Sequence, residues 1–340
     1  MMPDDVPRHK IAIKIMEEEV FETRIDLSKL SRTVEDIRAS LGKVIIGQTE
    51  LIDFLIAGIL AEGHILIEGV PGVAKTLTAK LLAKCFDARF SRIQFTPDLM
   101  PSDVLGTSVF NPRESSFEFK TGPIFGNVVL VDEINRAPAK TQSALFEVME
   151  EKQVTIDGKT YSMQEPFIVL ATQNPIEHEG TYRLPEAQLD RFLFKIEVKY
   201  PSLEEETAIL MQQHQQKTAD KVQEIHALLS AGEIAELRSQ VRTLHVEPKL
   251  LEFIARITHE TRTNKSLSLG ASPRASLALV NSAKALAAME GRDFVTPEDI
   301  VKAVPAVLRH RVILTPDKEM EGASTDDILN QIIHKIEVPR

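Results

Sequence analysis

Five short apolar runs recur between residues 64 and 198, and stretches compatible with helices separate them. The runs cover residues 64–68, 92–95, 128–131, 167–172 and 194–198. Short continuous apolar runs between helices are typical of parallel strands that helices bury on both faces. The pattern predicts an α/β fold built on a doubly wound parallel sheet.

The strand signals stop near residue 200, and the chain beyond it is predicted to be helical. Ser202 followed by Glu205 matches a capping box, in which each side chain bonds the other residue's backbone N–H at a helix start. Ser272 and Thr296 occupy cap positions of two further helices. Three predicted helices carry a proline in the first turn, at residues 248, 273 and 297.

These patterns divide the chain into four parts. We expect an N-terminal helical arm at residues 1–30, an α/β core at 31–200, an all-helical second domain at 201–315 and a C-terminal extension at 316–340.

The composition places limits on function. With 43% hydrophobic and 26% charged residues, the 340-residue chain resembles a soluble globular protein with one large and one smaller domain. The net charge of −10 disfavours binding to nucleic acid unless cations cluster locally. Cys85 is the single cysteine and the histidines are scattered, which argues against disulfides and against Cys/His metal sites. The polar start and the lack of a long apolar run predict no signal peptide, no membrane insertion and a cytoplasmic location.

A glycine-rich segment, Gly-Val-Pro-Gly-Val-Ala-Lys-Thr, follows the first apolar run at residues 69–76. It is close to the P-loop pattern G-x-x-x-x-G-K-[ST], whose backbone N–H groups, lysine and hydroxyl bind phosphates and Mg²⁺. Ala74 replaces the second glycine, which is harmless at a helical φ but strained at a positive φ. The alternative is a Gly-Pro-Gly turn before an ordinary helix. The predicted nucleotide-binding residues of this segment are Gly69, Val70, Pro71, Gly72, Val73, Ala74, Lys75, Thr76 and Leu77.

Asp132 and Glu133 come directly after the third apolar run, at the strand end where open α/β sheets bind ligands. Asp132 is predicted to hold Mg²⁺ together with Thr76, and Glu133 to polarise an attacking water. The alternative is that the pair caps the following helix. Asn174, after the fourth run, offers an amide that could orient water, although Asn before Pro is by itself a routine turn signal.

Several separated blocks of sequence resemble the AAA+ ATPases and, within them, the MoxR family. The blocks are the Gly-x-Pro-Gly-x-Ala-Lys-Thr form of the loop, Asp-Glu-Ile-Asn-Arg-Ala-Pro-Ala-Lys-Thr-Gln at 132–142, Ala-Thr-Gln-Asn-Pro at 171–175, Leu-Pro-Glu-Ala-Gln-Leu-Asp-Arg-Phe at 184–192 and Ser-Pro-Arg-Ala at 272–275. The resemblance covers residues 31–315 and implies an ATPase that uses ATP and Mg²⁺. It also implies a hexameric ring that remodels or activates a protein client, often one with a von Willebrand factor A domain.

The resemblance implies roles for individual residues. Asn174 corresponds to sensor 1, Arg191 to an arginine finger that reaches the adjacent subunit's nucleotide, and Arg274 to sensor 2 on the lid, as the second domain is called in this family. Gly47 and Gln48 belong to a segment that borders the adenine in similar proteins. We also expect ATP to draw Arg274 and its lid toward the core about a hinge near residues 200–201.

The finger assignment has alternatives. Arg183 could share or replace the role of Arg191, and either arginine could instead form a surface ion pair. The carboxylates considered for such a pair are Glu177, Glu179, Glu186 and Asp190.

Two insertions lie at about residues 107–122 and 154–163. In each, apolar and polar residues alternate on both sides of a turn-like centre, which predicts a β-hairpin. The resemblance implies that such hairpins face a ring pore or a client, and the alternative is that Phe117 and Phe119 pack on their own domain.

A nucleic-acid motor and a regulatory nucleotide-binding subunit are the other functions considered. The hairpin cations have acidic neighbours and form no basic stripe, which argues against the motor, while Glu133 and Arg191 argue against an inactive site.

Overall fold

A computed structural model describes residues 26–70, 72–174, 182, 184–215 and 217–339. Most of the predicted N-terminal arm (residues 1–25), Pro71 and Arg183 lie outside the described residues, as do Glu177 and Glu179.

The elements of the first part alternate between helices and strands. In chain order they are α1 (Ser28–Gly42), α2 (Thr49–Leu60), β1 (His64–Gly69), α3 (Lys75–Cys85), β2 (Phe90–Gln94), α4 (Pro101–Leu105), β3 (Gly106–Asn111), β4 (Ser116–Thr121), β5 (Val128–Asp132), α5 (Ala139–Glu151), β6 (Gln153–Ile156), β7 (Lys159–Ser162), β8 (Ile168–Gln173), α6 (Glu186–Leu189) and β9 (Phe192–Val198).

Five of these strands form one parallel sheet in the order β2-β5-β8-β1-β9, so all five predicted runs are confirmed as its strands. Alternate residues of each strand face opposite sides of the sheet. On β5, Val128 and Leu130 join a core with α1–α3 and the helices beyond residue 230, while Val129 and Val131 join a second core with α5. Because both faces are covered, the interior strands β5 and β8 read as nearly continuous apolar runs.

Both predicted hairpins are present as separate two-stranded antiparallel sheets, β3 with β4 and β6 with β7. They lie outside the central sheet and interrupt the alternation of its strands and helices.

The second domain is the predicted lid. Its elements are α7 (Leu203–His214), α8 (Lys217–Glu224), α9 (Ala231–Arg242), α10 (Pro248–Thr263), β10 (Leu267–Leu269), α11 (Pro273–Met289), α12 (Pro297–Leu308), β11 (Ile313–Leu314), α13 (Pro316–Met320) and α14 (Thr325–Lys335). The capping box of Ser202 and Glu205 is confirmed at the start of α7. Among its described residues the two strands are β10 and β11, which pair in an antiparallel sheet too short to give a strand signal in the sequence.

Two predicted domain boundaries cut through packed structure. Helix α1 crosses residue 30, and its Leu30 and Val34 are buried in the same core as α2 and α11. Helix α14 packs on α10 and α12 and buries Leu329, so the chain after residue 315 packs with the lid and not as a separate extension. In the part of the chain that the structure describes, no helix is both long and apolar enough to cross a membrane.

Candidate active site

The glycine-rich segment joins β1 to α3 at the carboxyl edge of the sheet, meaning the edge where the parallel strands end. Lys75 opens α3, and its Nζ donates to the carbonyl oxygen of Gly69 at 2.5 Å. A Cβ at Gly69 would lie 2.8 Å from the carbonyl oxygen of Val198, so the first glycine permits close packing of β1 on β9. Gly72 has φ +89° and no neighbouring atom within 4 Å of an added Cβ, which leaves its backbone accessible.

Ala74 adopts the strained backbone conformation of the two considered from the sequence, the one with a positive φ. Its φ of 59° and ψ of 18° lie in the left-handed region. A residue with a Cβ costs about 1–2 kcal/mol there relative to the right-handed region. The conformation turns the Ala74 carbonyl into the first turn of α3, where it accepts from the Thr78 backbone N–H at 2.9 Å and from Thr78 Oγ1 at 3.0 Å. The segment is therefore a tight loop entering a helix and not a simple turn.

Asp132, at the end of β5, is 6% exposed and is held by residues from three elements. Its Oδ1 accepts from Thr172 Oγ1 at 3.0 Å, and its Oδ2 lies 3.5 Å from Thr76 Oγ1. Arg92, on β2, donates from Nε to the same Oδ2 at 2.6 Å. The structure thus brings together the predicted pair Thr76 and Asp132, whose hydroxyl and carboxylate oxygens suit a hard cation such as Mg²⁺. Sequence reasoning missed Arg92, whose only signal was a cation within a predicted strand.

Glu133 follows with φ 59°, and its backbone N–H donates to Thr172 Oγ1 at 3.1 Å. Its carboxylate forms an ion pair with Arg136 at 2.8 Å. The capping alternative does not hold, because the N-cap of α5 is Pro138, with a short 3₁₀ turn between it and Glu133. Asn174, directly after β8, is 8% exposed at the same edge of the sheet.

A largely apolar cleft of about 190 Å³ adjoins the loop. Its walls are the segment before α2, the loop with the start of α3, and helix α7 of the lid. The lining residues are Val44, Ile45, Ile46, Gln48, Gly72, Val73, Ala74, Leu77, Pro201, Ile209, Gln212 and Gln213. An apolar slot with a few amides beside this glycine-rich loop has the character of a nucleobase site.

Gly47 joins this cleft to the lid. It has φ +77°, and an added Cβ would lie 2.3 Å from the carboxyl carbon of Glu205. A larger residue here would need a left-handed backbone and a shift of the Glu205 side chain that caps α7. Val70 and Leu77 are partly buried and pack on the adjoining core.

Arg191 lies at the amino edge of the sheet, where the strands begin. It immediately precedes β9, and the register pairs Phe192 with His64, the first residue of β1. Since the loop follows the other end of β1, a whole strand of roughly 17 Å separates the two. Arg191 Nη2 pairs with Glu150 Oε2 at 2.8 Å, and its guanidinium carbon lies 5.9 Å from the centre of the Phe146 ring.

Arg274 lies beside Arg191. Its Nη2 is 3.4 Å from Glu150 Oε1, so both arginines share one carboxylate on α5. The residue before Glu150, Met149, accepts a hydrogen bond from His64 at 3.0 Å, which places the cluster at the start of β1. The structure therefore places Arg274 at the edge opposite to the loop of its own chain. The sequence contains Glu150 but gives no sign that it meets these arginines.

A parallel sheet with a phosphate loop after β1, an acidic pair after β5 and a helical lid defines an AAA-type P-loop ATPase. Residues 64–194 match the family described as "ATPase family associated with various cellular activities (AAA)", and residues 259–332 match the AAA lid domain.

Similarity to individual proteins identifies the family within this class. The chain is 43% identical over 324 residues to "Chaperone MoxR1" of Mycobacterium tuberculosis, covering 93% of this chain and 84% of that protein. It is 44% identical over 312 residues to "Uncharacterized protein YeaC" of Bacillus subtilis, covering 90% of this chain and 97% of that protein. A crystal structure from Cytophaga hutchinsonii superposes with a TM-score of 0.85 at 40% identity, over 97% of this chain and all of that one. The chain belongs to the MoxR family of AAA+ ATPases.

Proposed function

We propose that this protein hydrolyses ATP at a site shared between subunits of a ring, and uses the cycle to remodel or activate a protein partner in the cytoplasm. The observation that carries the proposal is the separation of two sets of residues on opposite edges of one sheet. Lys75, Thr76, Asp132 and Glu133 lie at the carboxyl edge, and Arg191 with Arg274 at the amino edge. Neither arginine can reach its own loop across a strand, so both would meet the nucleotide of a neighbour.

Each group has a chemical role in this scheme. Lys75 would neutralise the terminal phosphates, and Thr76 and Asp132 would hold Mg²⁺, which would supply positive charge to offset that of the phosphates. Glu133 would take the proton of the attacking water, and Asn174 would help to orient that water. Arg191 and Arg274 would stabilise the negative charge that develops on the transferred phosphoryl group. The cleft before α2, which Gln48 lines and Gly47 adjoins, would take the adenine.

The ring explains why the site is split. Identical subunits that contact each other through two different faces close into a ring when the rotation permits, and we propose a hexamer by family resemblance. Hydrolysis then depends on assembly, because each site lacks its arginines until the neighbour is in place.

Hydrolysis per subunit should therefore rise steeply with protein concentration and then level off. The measurement is the rate of phosphate release across a dilution series at saturating ATP and Mg²⁺. Duplex and single-stranded DNA should leave the plateau unchanged, since the chain carries a net charge of −10. A constant rate per subunit at every dilution would contradict the shared site, DNA stimulation would favour the nucleic-acid motor, and absence of hydrolysis would favour a regulatory subunit.

The hairpin of β3 and β4 offers a surface for a partner. Phe117 is 72% exposed and Phe110 51% exposed, and their rings meet edge to face at 5.3 Å. Phe119, on the same strand, instead packs on Tyr161 of the second hairpin at 4.5 Å and on Phe125 at 5.9 Å. The two alternatives considered for these rings therefore apply to different residues. Phe117 is exposed and would be available to a client, whereas Phe119 packs on its own domain.

Phe117→Ser should leave the melting temperature and the basal ATPase unchanged but abolish stimulation by a client, for which a recombinant von Willebrand factor A domain protein of the same organism is the first probe. Phe119→Ser is the matched control and should melt earlier, by some fraction of the roughly 3–5 kcal/mol that truncation of a fully buried Phe costs. Equal stimulation of Phe117→Ser and the wild type would exclude this ring as a client contact.

A further inference from the structure

Glu150 is a carboxylate between two arginines, and neither the ATPase machinery nor a helix cap accounts for it. It contacts Arg191 Nη2 at 2.8 Å and Arg274 Nη2 at 3.4 Å, one oxygen to each. Its position in the last turn of α5 is unfavourable for a negative charge, and that of Arg274 in the first turn of α11 is unfavourable for a positive one. Each side chain offsets the other's unfavourable position.

The last two turns of α5, which carry Glu150, are held to the sheet by hydrogen bonds and packing. His64 is buried, which lowers its pKa to about 4 and leaves the ring neutral at physiological pH. Its Nε2 bonds the carbonyl of Met149 at 3.0 Å, and its Nδ1 accepts from the Val169 backbone N–H at 3.0 Å. One turn earlier, Phe146 is 1% exposed, packs edge to face on Phe192, and its carbonyl accepts from Arg191. The end of α5 is thus bound to the strands beneath it.

The lid is bound to the same place by a second link. Arg311, on the lid, is 8% exposed and donates from Nε to Asp190 Oδ1 at 2.7 Å and from Nη2 to the carbonyl of Phe192 at 2.6 Å. Ser272, at the start of α11, contacts Asp190 Oδ2 at 3.2 Å. These bonds hold the backbone on both sides of Arg191, while its guanidinium contacts the Phe146 carbonyl and Glu150, and that of Arg274 contacts Glu150.

We propose that Glu150 is a positioning residue that orients Arg191 and Arg274 as one unit toward the nucleotide of the neighbouring subunit. An arginine has five N–H donors. Arg191, which gives one to Glu150 and one to the Phe146 carbonyl, and Arg274, which gives one to Glu150, therefore keep others for phosphate oxygens. One carboxylate between two guanidiniums also removes their mutual repulsion and leaves a net positive charge facing the phosphates. The inference rests on the proposed shared site.

The test compares Glu150→Gln, which keeps the shape and removes the charge, with Glu151→Gln, the exposed carboxylate next to it on the same helix. Glu150→Gln should lower kcat about 10- to 100-fold, as misplaced catalytic groups do. The KM for ATP should stay unchanged, since the cleft is intact, and the melting temperature should change little, since the core is intact and partly exposed ion pairs contribute little to stability. Glu151→Gln should behave as the wild type, and Glu150→Asp should recover part of kcat.

Coupling separates positioning from a general loss of structure. In the Glu150→Gln background, Arg274→Ala should lower kcat by a smaller factor than it does in the wild type, because the two arginines no longer act together. A kcat within twofold of wild type for Glu150→Gln, an equal loss for Glu151→Gln, or fully multiplicative effects of Glu150→Gln and Arg274→Ala would overturn the inference. If Arg191→Ala itself leaves hydrolysis unchanged, the shared site fails instead, so the two failures are distinguishable.

Discussion

Glu133→Gln is expected to bind ATP as tightly as the wild type and to hydrolyse it at least about 100-fold more slowly, because general-base catalysis contributes roughly 10²–10⁴-fold to such reactions. Glu133 follows the end of β5 and does not line the cleft that would take the adenine. The amide keeps the shape of the side chain but cannot take a proton. Binding is measured by titration with a fluorescent ATP analogue, and turnover by phosphate release.

Lys75→Ala is the contrasting variant, since its Nζ lies at the loop where the phosphates would bind, 2.5 Å from the carbonyl of Gly69. It should lose nucleotide affinity itself and not only turnover. If Glu133→Gln hydrolyses ATP at the wild-type rate in a clean preparation, Glu133 is not the base. If Lys75→Ala binds ATP normally, the loop is not the phosphate site.

Arg191→Ala should lower hydrolysis by about 10³-fold or more, the range observed when an arginine finger is missing. Mixing it with Glu133→Gln should restore activity, because some interfaces then combine an intact Glu133 from one chain with an intact Arg191 from the other. The measurement is phosphate release across mixing ratios, with each variant alone as the baseline. No recovery at any ratio would show that Arg191 acts within its own subunit or only supports structure.

The same mixing experiment distinguishes the two placements of Arg274. If Arg274 acts across the interface, as its shared contact with Glu150 indicates, Arg274→Ala mixed with Glu133→Gln should also recover activity. If it closed on its own nucleotide, every chain in the mixture would carry a defect at its own site and no recovery could occur.

The amino-acid sequence alone was sufficient to predict the strands, the loop and the acidic pair. Burial on both faces requires continuous apolar runs, so β1, β5 and β8 could be identified from local composition. The loop and Asp132–Glu133 depend on residues adjacent in the chain, and parallel strands bring their carboxyl ends to one edge whatever the details of packing. The capping box of α7 is likewise a local pattern, confirmed by the Ser202 and Glu205 contacts.

Only the tertiary structure decided which charges meet. Arg92 reaches Asp132 across 40 residues of sequence, and Arg274 reaches Glu150 across 124. Such pairs depend on strand register and on how the lid docks, which no local pattern encodes. The left-handed φ of Ala74 is also a product of context, because alanine by itself prefers the right-handed region. The sequence could therefore predict the residues that we propose to act on ATP, whereas the sheet, which separates its two edges by the length of a strand, places Arg191 and Arg274 away from the loop of their own chain.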